Sequence, residues 1–160
     1  MSQQKNKIIP ANKELSQKIG TGSISTIAIE RAEEAIQEND VDFAPLGLDF
    51  LKKLEVALDS VENKKDLEEQ KMSIIKPVME LKANAEIFHY ELVGNLANIM
   101  LNFIESIETL DKDALAITRS HHDSLKAILG NKMKGNGGQN GKTMITELKD
   151  ACARYYKKRK

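Results

Sequence analysis

Between Leu92 and Ile107 the chain sets Leu92, Val93, Leu96, Ile99, Met100, Phe103, Ile104 and Ile107 at helical spacing. At roughly 100° per residue these side chains cover a face too wide for a helix with a single neighbour. Burying each large apolar side chain contributes about 1.5–3 kcal/mol. A helix over about Tyr90 to Glu108 therefore belongs at the centre of a bundle, with Gly94 and Ala97 leaving room for a neighbour to come close.

The flanking sequence supplies the partners. From Ser25 to about Asn39, Ile27, Ala28, Ala32, Ala35 and Ile36 recur with helical spacing. After the punctuation Pro45-Leu46-Gly47, Leu48, Leu51, Leu54, Val56, Leu58 and Val61 mark a second helix that ends near Glu62-Asn63-Lys64-Lys65. A third opens at Asp66, whose carboxylate can cap free amides while Glu69 completes a box-like pairing. It runs to about Phe88 with a bend at Pro77, which lacks the amide proton and crowds the preceding turn. On it Leu67, Lys71, Ile74, Val78, Leu81 and Ala85 form a core stripe, apolar except for the lysine, while Met72, Lys76, Met79, Ala83 and Glu86 fall on an adjoining strip. A fifth helix spans about Asp111 to Gly130, with Ala114, Thr118, His121, Leu125 and Ile128 on one face. The glycine-rich residues 130–141 read as a loop. A last helix, about Lys142 to Lys157, turns Ile145, Leu148, Cys152 and Tyr155 to one side.

No segment alternates as a strand does, so the expected fold is all-α: an up-down bundle with a four-helix core and extra N- and C-terminal helices. At 160 residues one domain is the expectation, residues 23–160, preceded by a flexible polar arm at 1–22. The 24 basic and 24 acidic residues cancel, which argues against nucleic acid as the main partner. With no tryptophan and 4 % aromatic residues, the chain also lacks stacking platforms for single strands. Cys152 is the only cysteine, so neither an intramolecular disulfide nor a cysteine zinc cluster can form. No apolar run suits a signal peptide or membrane insertion, and a reducing cytoplasm is the expected compartment.

The central motif is Val78 to Tyr90, followed by an apolar helix ending Leu101-Asn102-Phe103-Ile104-Glu105 and by Ala114 to Ile128. This succession resembles the histidine-containing phosphotransfer (HPt) domain proteins of bacterial phosphorelays. Ile8-Ile9-Pro10 and Lys18-Ile19-Gly20 resemble the leader of an alphaproteobacterial branch. The family motif runs histidine, any residue, leucine, lysine, glycine; here it runs Met79, Glu80, Leu81, Lys82, Ala83. The resemblance implies a helical bundle whose exposed histidine attacks the aspartyl phosphate of a receiver domain, with a lysine one turn on drawing the phosphoryl oxygens. Lys82 keeps that charge available, and Ala83 adds only a methyl group to the approach. Met79 removes the ring nitrogen, and a thioether is at best a weak acceptor.

The expectation is thus a degenerate HPt-like docking domain, not an enzyme and requiring no cofactor. It would bind a response-regulator receiver or a sensor histidine kinase through Met72, Lys76, Met79, Lys82, Ala83 and Glu86. The alternative within the family is phosphate carried on another histidine. His89 lies near the end of its helix, His121 shares a stripe with Leu125 and Ile128, and His122 is expected to be exposed but has Leu125 where the lysine should be. Adjacent His121 and His122 point apart on a helix and complete no metal shell.

Two other patterns compete. Gly137-Gly138-Gln139-Asn140-Gly141-Lys142-Thr143 suggests a phosphate-binding loop, but the glycine required five positions before Gly141 is Asn136, and a helix rather than a strand precedes it. The basic end, residues 157–160, would let a non-catalytic adaptor meet nucleic acid or an anionic surface; as a helix terminus the same cations simply suit the dipole.

Overall fold

The computed structural model describes residues 25–37, 42–61 and 66–159. Among them are six helices and no strand: α1 Thr26–Gln37, α2 Phe43–Asp59, α3 Leu67–Ile87, α4 Glu91–Ser106, α5 Lys112–Gly130 and α6 Gly138–Lys157. The chain divides into two compact units, Met1–Glu38 with α1 and Asn39–Lys160 with the other five helices. The sequence reading instead joins residues 23–38 to the bundle. In the first unit Ile27, Ala28 and Ala32 are exposed on α1. The expected arm, residues 1–22, lies outside the described residues.

In the second unit, α2 packs on α3, α3 on α4, α4 on α5 and α5 back on α2, which closes a four-helix ring. Short links such as Phe88 to Tyr90 set consecutive helices antiparallel. Helix α6 lies outside this ring, against α4 and α5. Helix α4 consequently touches three others, as its wide apolar face demands. Leu92, Val93, Leu96, Ala97 and Met100 on it are fully buried. No helix among the described residues is long and apolar enough to cross a membrane.

The stripe expected on α3 faces this core except at its first residue: Lys71, Ile74, Val78, Leu81 and Ala85 are buried, with Ile75 and Pro77 beside them, while Leu67 in the first turn is half-buried. Lys71 sits among them because its ammonium reaches the Glu105 carbonyl at 3.5 Å, in the last turn of α4 where carbonyls lack helical partners. The expected faces of α5 and α6 are buried too, apart from Ile145, which is half-buried.

Several boundaries differ from the sequence reading. Helix α2 begins at Phe43 and runs through Pro45 and Gly47, because Asp42 accepts from the Ala44 amide at 3.1 Å and Pro45 falls in the first turn, where an amide proton has no helical partner. The Asp42 carboxylate also takes the Lys132 ammonium at 2.7 Å. Lys132 and the Ala44 amide together hold it below its ordinary carboxylate range. Asp66 occupies the cap position of α3 in an extended conformation, but its side chain makes no capping bond. Side-chain caps, not expected from the sequence, are found instead at Asp42 and at Asp111, which accepts from the Ala114 amide at 2.9 Å.

The loop expected at 130–141 is shorter. Gly130 closes α5, and 138–141 already form the first turn of α6. Asn136 Oδ1 accepts from the Gly138 amide at 2.8 Å, and Gly137 takes the left-handed conformation, φ 70°, that starts the helix. The loop is stitched to the α3–α4 turn: the Gly135 amide donates to the His89 carbonyl at 2.6 Å, and its carbonyl accepts from Leu92 at 2.9 Å, an amide left free at the start of α4. Gly137 and Gly141 thus serve close approach of the loop to its neighbours. At Gly141 a methyl group would lie 2.1 Å from the Asn136 carbonyl oxygen.

Gly141→Ala should accordingly lose about 1–3 kcal/mol through overpacking against backbone. Gly130→Ala, where a methyl group meets nothing within 4 Å, should leave stability unchanged or raise it. Urea midpoints of the two variants check this, and equal midpoints would contradict the packing assigned to the loop.

Candidate functional site

Helix α3 presents its outer strip to solvent because its opposite stripe is held by α2 and α4. Met72 and Met79 are each 55 % exposed, and Lys76, Ala83 and Glu86 are exposed with them. The residues that the sequence places on one strip therefore share one accessible face. Pro77, two residues before Met79, is buried.

Lys82 stands on the α4 side of this strip and is half-buried. Its Nζ donates to Asn98 Oδ1 of α4 at 2.8 Å. A neutral amide fixes the ammonium without cancelling its charge, and among the described residues no carboxylate pairs with it. Sequence spacing gives no sign of this bond, since the partners are sixteen residues apart on different helices. On the other flank, Lys53 of α2 and Ser73, Lys76, Pro77 and Glu80 of α3 line a shallow hollow of about 320 Å³.

Two of the three histidines, His121 and His122, stand on α5, whereas His89 follows the end of α3, its amide donating to the Glu86 carbonyl at 3.3 Å. His89 is exposed in the α3–α4 turn with a left-handed backbone, φ 60°, an uncommon conformation for a residue with a Cβ. His121 is fully buried, its Nδ1 3.0 Å from the Ile117 carbonyl and its Nε2 without a partner among the described residues. Burial holds its pKa below the ordinary 6.5, against the opposing pull of that carbonyl.

His122 corrects the sequence reading. It is 4 % exposed rather than open to solvent, because α5 packs against α2, α4 and α6 and so buries more than the one stripe expected of it. Its Nδ1 lies 3.0 Å from Asp123 Oδ1, and its Nε2 is buried without a partner among the described residues. Neither buried ring is open to a phosphorylated partner. No group of three or more His, Cys, Asp or Glu among the described residues is arranged to hold a metal.

Two residues of the basic end, Lys158 and Arg159, are engaged within the chain. Arg159 pairs with Asp111, lies 3.6 Å from Asp113, and stacks over the Tyr155 ring with its guanidinium carbon 3.7 Å from the centroid. Lys158 pairs with Asp113 at 3.1 Å. Although desolvation opposes it, the Ala114 amide and Arg159 hold Asp111 below its ordinary range. Cys152 is buried, and burial pushes its thiol up to about 11, so it is no nucleophile at neutral pH.

No family model, no curated protein and no solved structure matches this chain.

The state of His121 makes stability depend on pH. The unfolded chain takes up a proton near pH 6.5 and the folded bundle only at lower pH, so stability is fully present above 6.5 and declines as pH falls below it. Denaturant midpoints at pH 7.5 and 5.5 should show this decline, and His121→Leu should flatten it. A variant that declines as steeply as the parent would show that the folded bundle protonates His121 as readily as the unfolded chain does.

Proposed function

We propose that this chain is a cytoplasmic signalling protein of the phosphorelay type: a degenerate HPt-like domain that binds a response-regulator receiver, or the helix pair of a sensor kinase, without carrying phosphate at the usual position. The observation that carries this reading is Met79, exposed on a helix braced by the bundle core, with Lys82 one turn on and a small residue, Ala83, beside it. Such a face offers a partner shape, an adaptable thioether surface and an unneutralised cation. It offers no ring nitrogen to form the phosphoramidate, so docking and phosphoryl transfer are separated.

The family alternative, phosphate on another histidine, rests on His89 alone, since His121 and His122 are buried. The reading as an adaptor that works through a basic tail is weakened by the ion pairs that occupy Lys158 and Arg159.

Incubation with a receiver domain carrying labelled aspartyl phosphate tests the proposal. The native chain should take up no acid-labile label, and Met79→His should gain at least partial acceptance. Label on the native chain would overturn the docking-only reading. A Met79→His chain that neither accepts label nor slows hydrolysis of the receiver's phosphate would remove the assignment of α3 as the contact surface.

A further inference from the structure

Helix α6 lies against α4 outside the four-helix ring, and two hollows between them join into one furrow. The larger, about 540 Å³, is walled by Ile99 and Phe103 of α4 and by Cys152, Ala153 and Tyr156 of α6. The second, about 330 Å³, is walled by Asn95, Asn98 and Ile145. Ile99, Asn102 and Lys149 line both, which makes the furrow continuous. From Asn95 to Ser106 it follows about three turns of α4, roughly 16 Å.

Its chemistry changes along its length. The end near Phe103 and Tyr156 is largely apolar, whereas the end near Asn95 and Asn98 carries side-chain amides. Lys149 stands where the two meet, and the Lys82 ammonium rests on Asn98 at the edge. No carboxylate lines either hollow. Lys142, seven residues before Lys149, continues the same stripe of α6 and is exposed.

We propose that this furrow docks an acidic amphipathic helix of a partner protein. Two helices lying side by side present the groove into which the side-chain ridge of a third packs. The apolar half takes the hydrophobic stripe of the incoming helix, and Lys149 with Lys82 meets carboxylates on its flank without a competing acid in the lining. Nucleic acid would satisfy the cations but leave the apolar half unfilled. The furrow lies between α4 and α6 and shares Lys82 at its edge with the α3 strip, so Lys149→Glu and Ala153→Arg, both on α6, test it without altering the α3 surface.

Fluorescence anisotropy of a labelled synthetic peptide, with leucine at i, i+3, i+4 and i+7 and glutamate on the flanks, provides the test. Saturable binding to the native chain is expected, weakened about tenfold or more by Lys149→Glu, which reverses the charge at the centre of the furrow. Ala153→Arg should weaken it similarly by obstructing the apolar half. Both positions are exposed on α6, and thermal melts by circular dichroism verify that the variants fold. The proposal fails if the peptide does not bind saturably, if a counterpart with lysine in place of glutamate binds equally well, or if neither substitution weakens binding. It fails equally if an oligonucleotide competes for the furrow, or if the native chain self-associates and Lys149→Glu abolishes that association, since a second copy would then be the occupant.

Discussion

Burial of α4 along three sides is the constraint from which the rest of the second unit follows. Its apolar positions, Leu92 through Ile104, point in too many directions for one partner to cover, and α3, α5 and α6 each take part of that surface. With the inner stripe of α3 committed to α4 and α2, only the strip through Met72, Met79 and Glu86 remains outside. The same central helix sets the floor of the α4–α6 furrow, and Lys82 on Asn98 joins the two surfaces across α4.

Polar interactions fix where the helices stop. At one end, Asp42 caps α2 and holds Lys132, and the Gly135 backbone bonds to His89 and Leu92; the first turn of α2, the α3–α4 turn and the loop before α6 are thereby tied together. Stacking of Phe43 on Phe88, with centroids 5.1 Å apart, closes the same end. At the other end Asp111 caps α5 while holding Arg159, and the Ser106 and Tyr156 hydroxyls pair. The acids that begin α2 and α5 thus also absorb cations from the loop and the C-terminal end. A run of basic residues that looks free in the sequence is in part structural.

Much of this was legible in the residues. Helical spacing identified the inward faces of α3, α5 and α6, because a stripe that repeats at 3.6 residues has few places to go but a core. It placed Met79 beside the core for the same reason. What spacing missed depended on contacts distant in sequence. Pro45 and Gly47 read as punctuation until the Asp42 cap places the proline in a first turn, where it does no harm. Residues 138–141 read as loop because glycine lowers helix propensity, but Asn136 and the packing of Gly141 against it start α6 there. His122 escapes the spacing argument because α5 packs against three helices and so buries more than its one stripe. Asp66 carried the sequence signature of a cap without its bond, since propensity states what a side chain can do and not which rotamer it adopts.

On the proposed reading, the outward strip of α3 receives a signalling partner while the core behind it stays closed. Methionine methyl signals report this directly, because Met72 and Met79 are exposed whereas Met100 is fully buried. Titration of a ¹³C-methyl-methionine sample with an activated receiver domain should shift or broaden the Met72 and Met79 resonances and leave Met100 in place. Unmoved Met72 and Met79 signals in the presence of a bound receiver would show that it docks elsewhere than on α3.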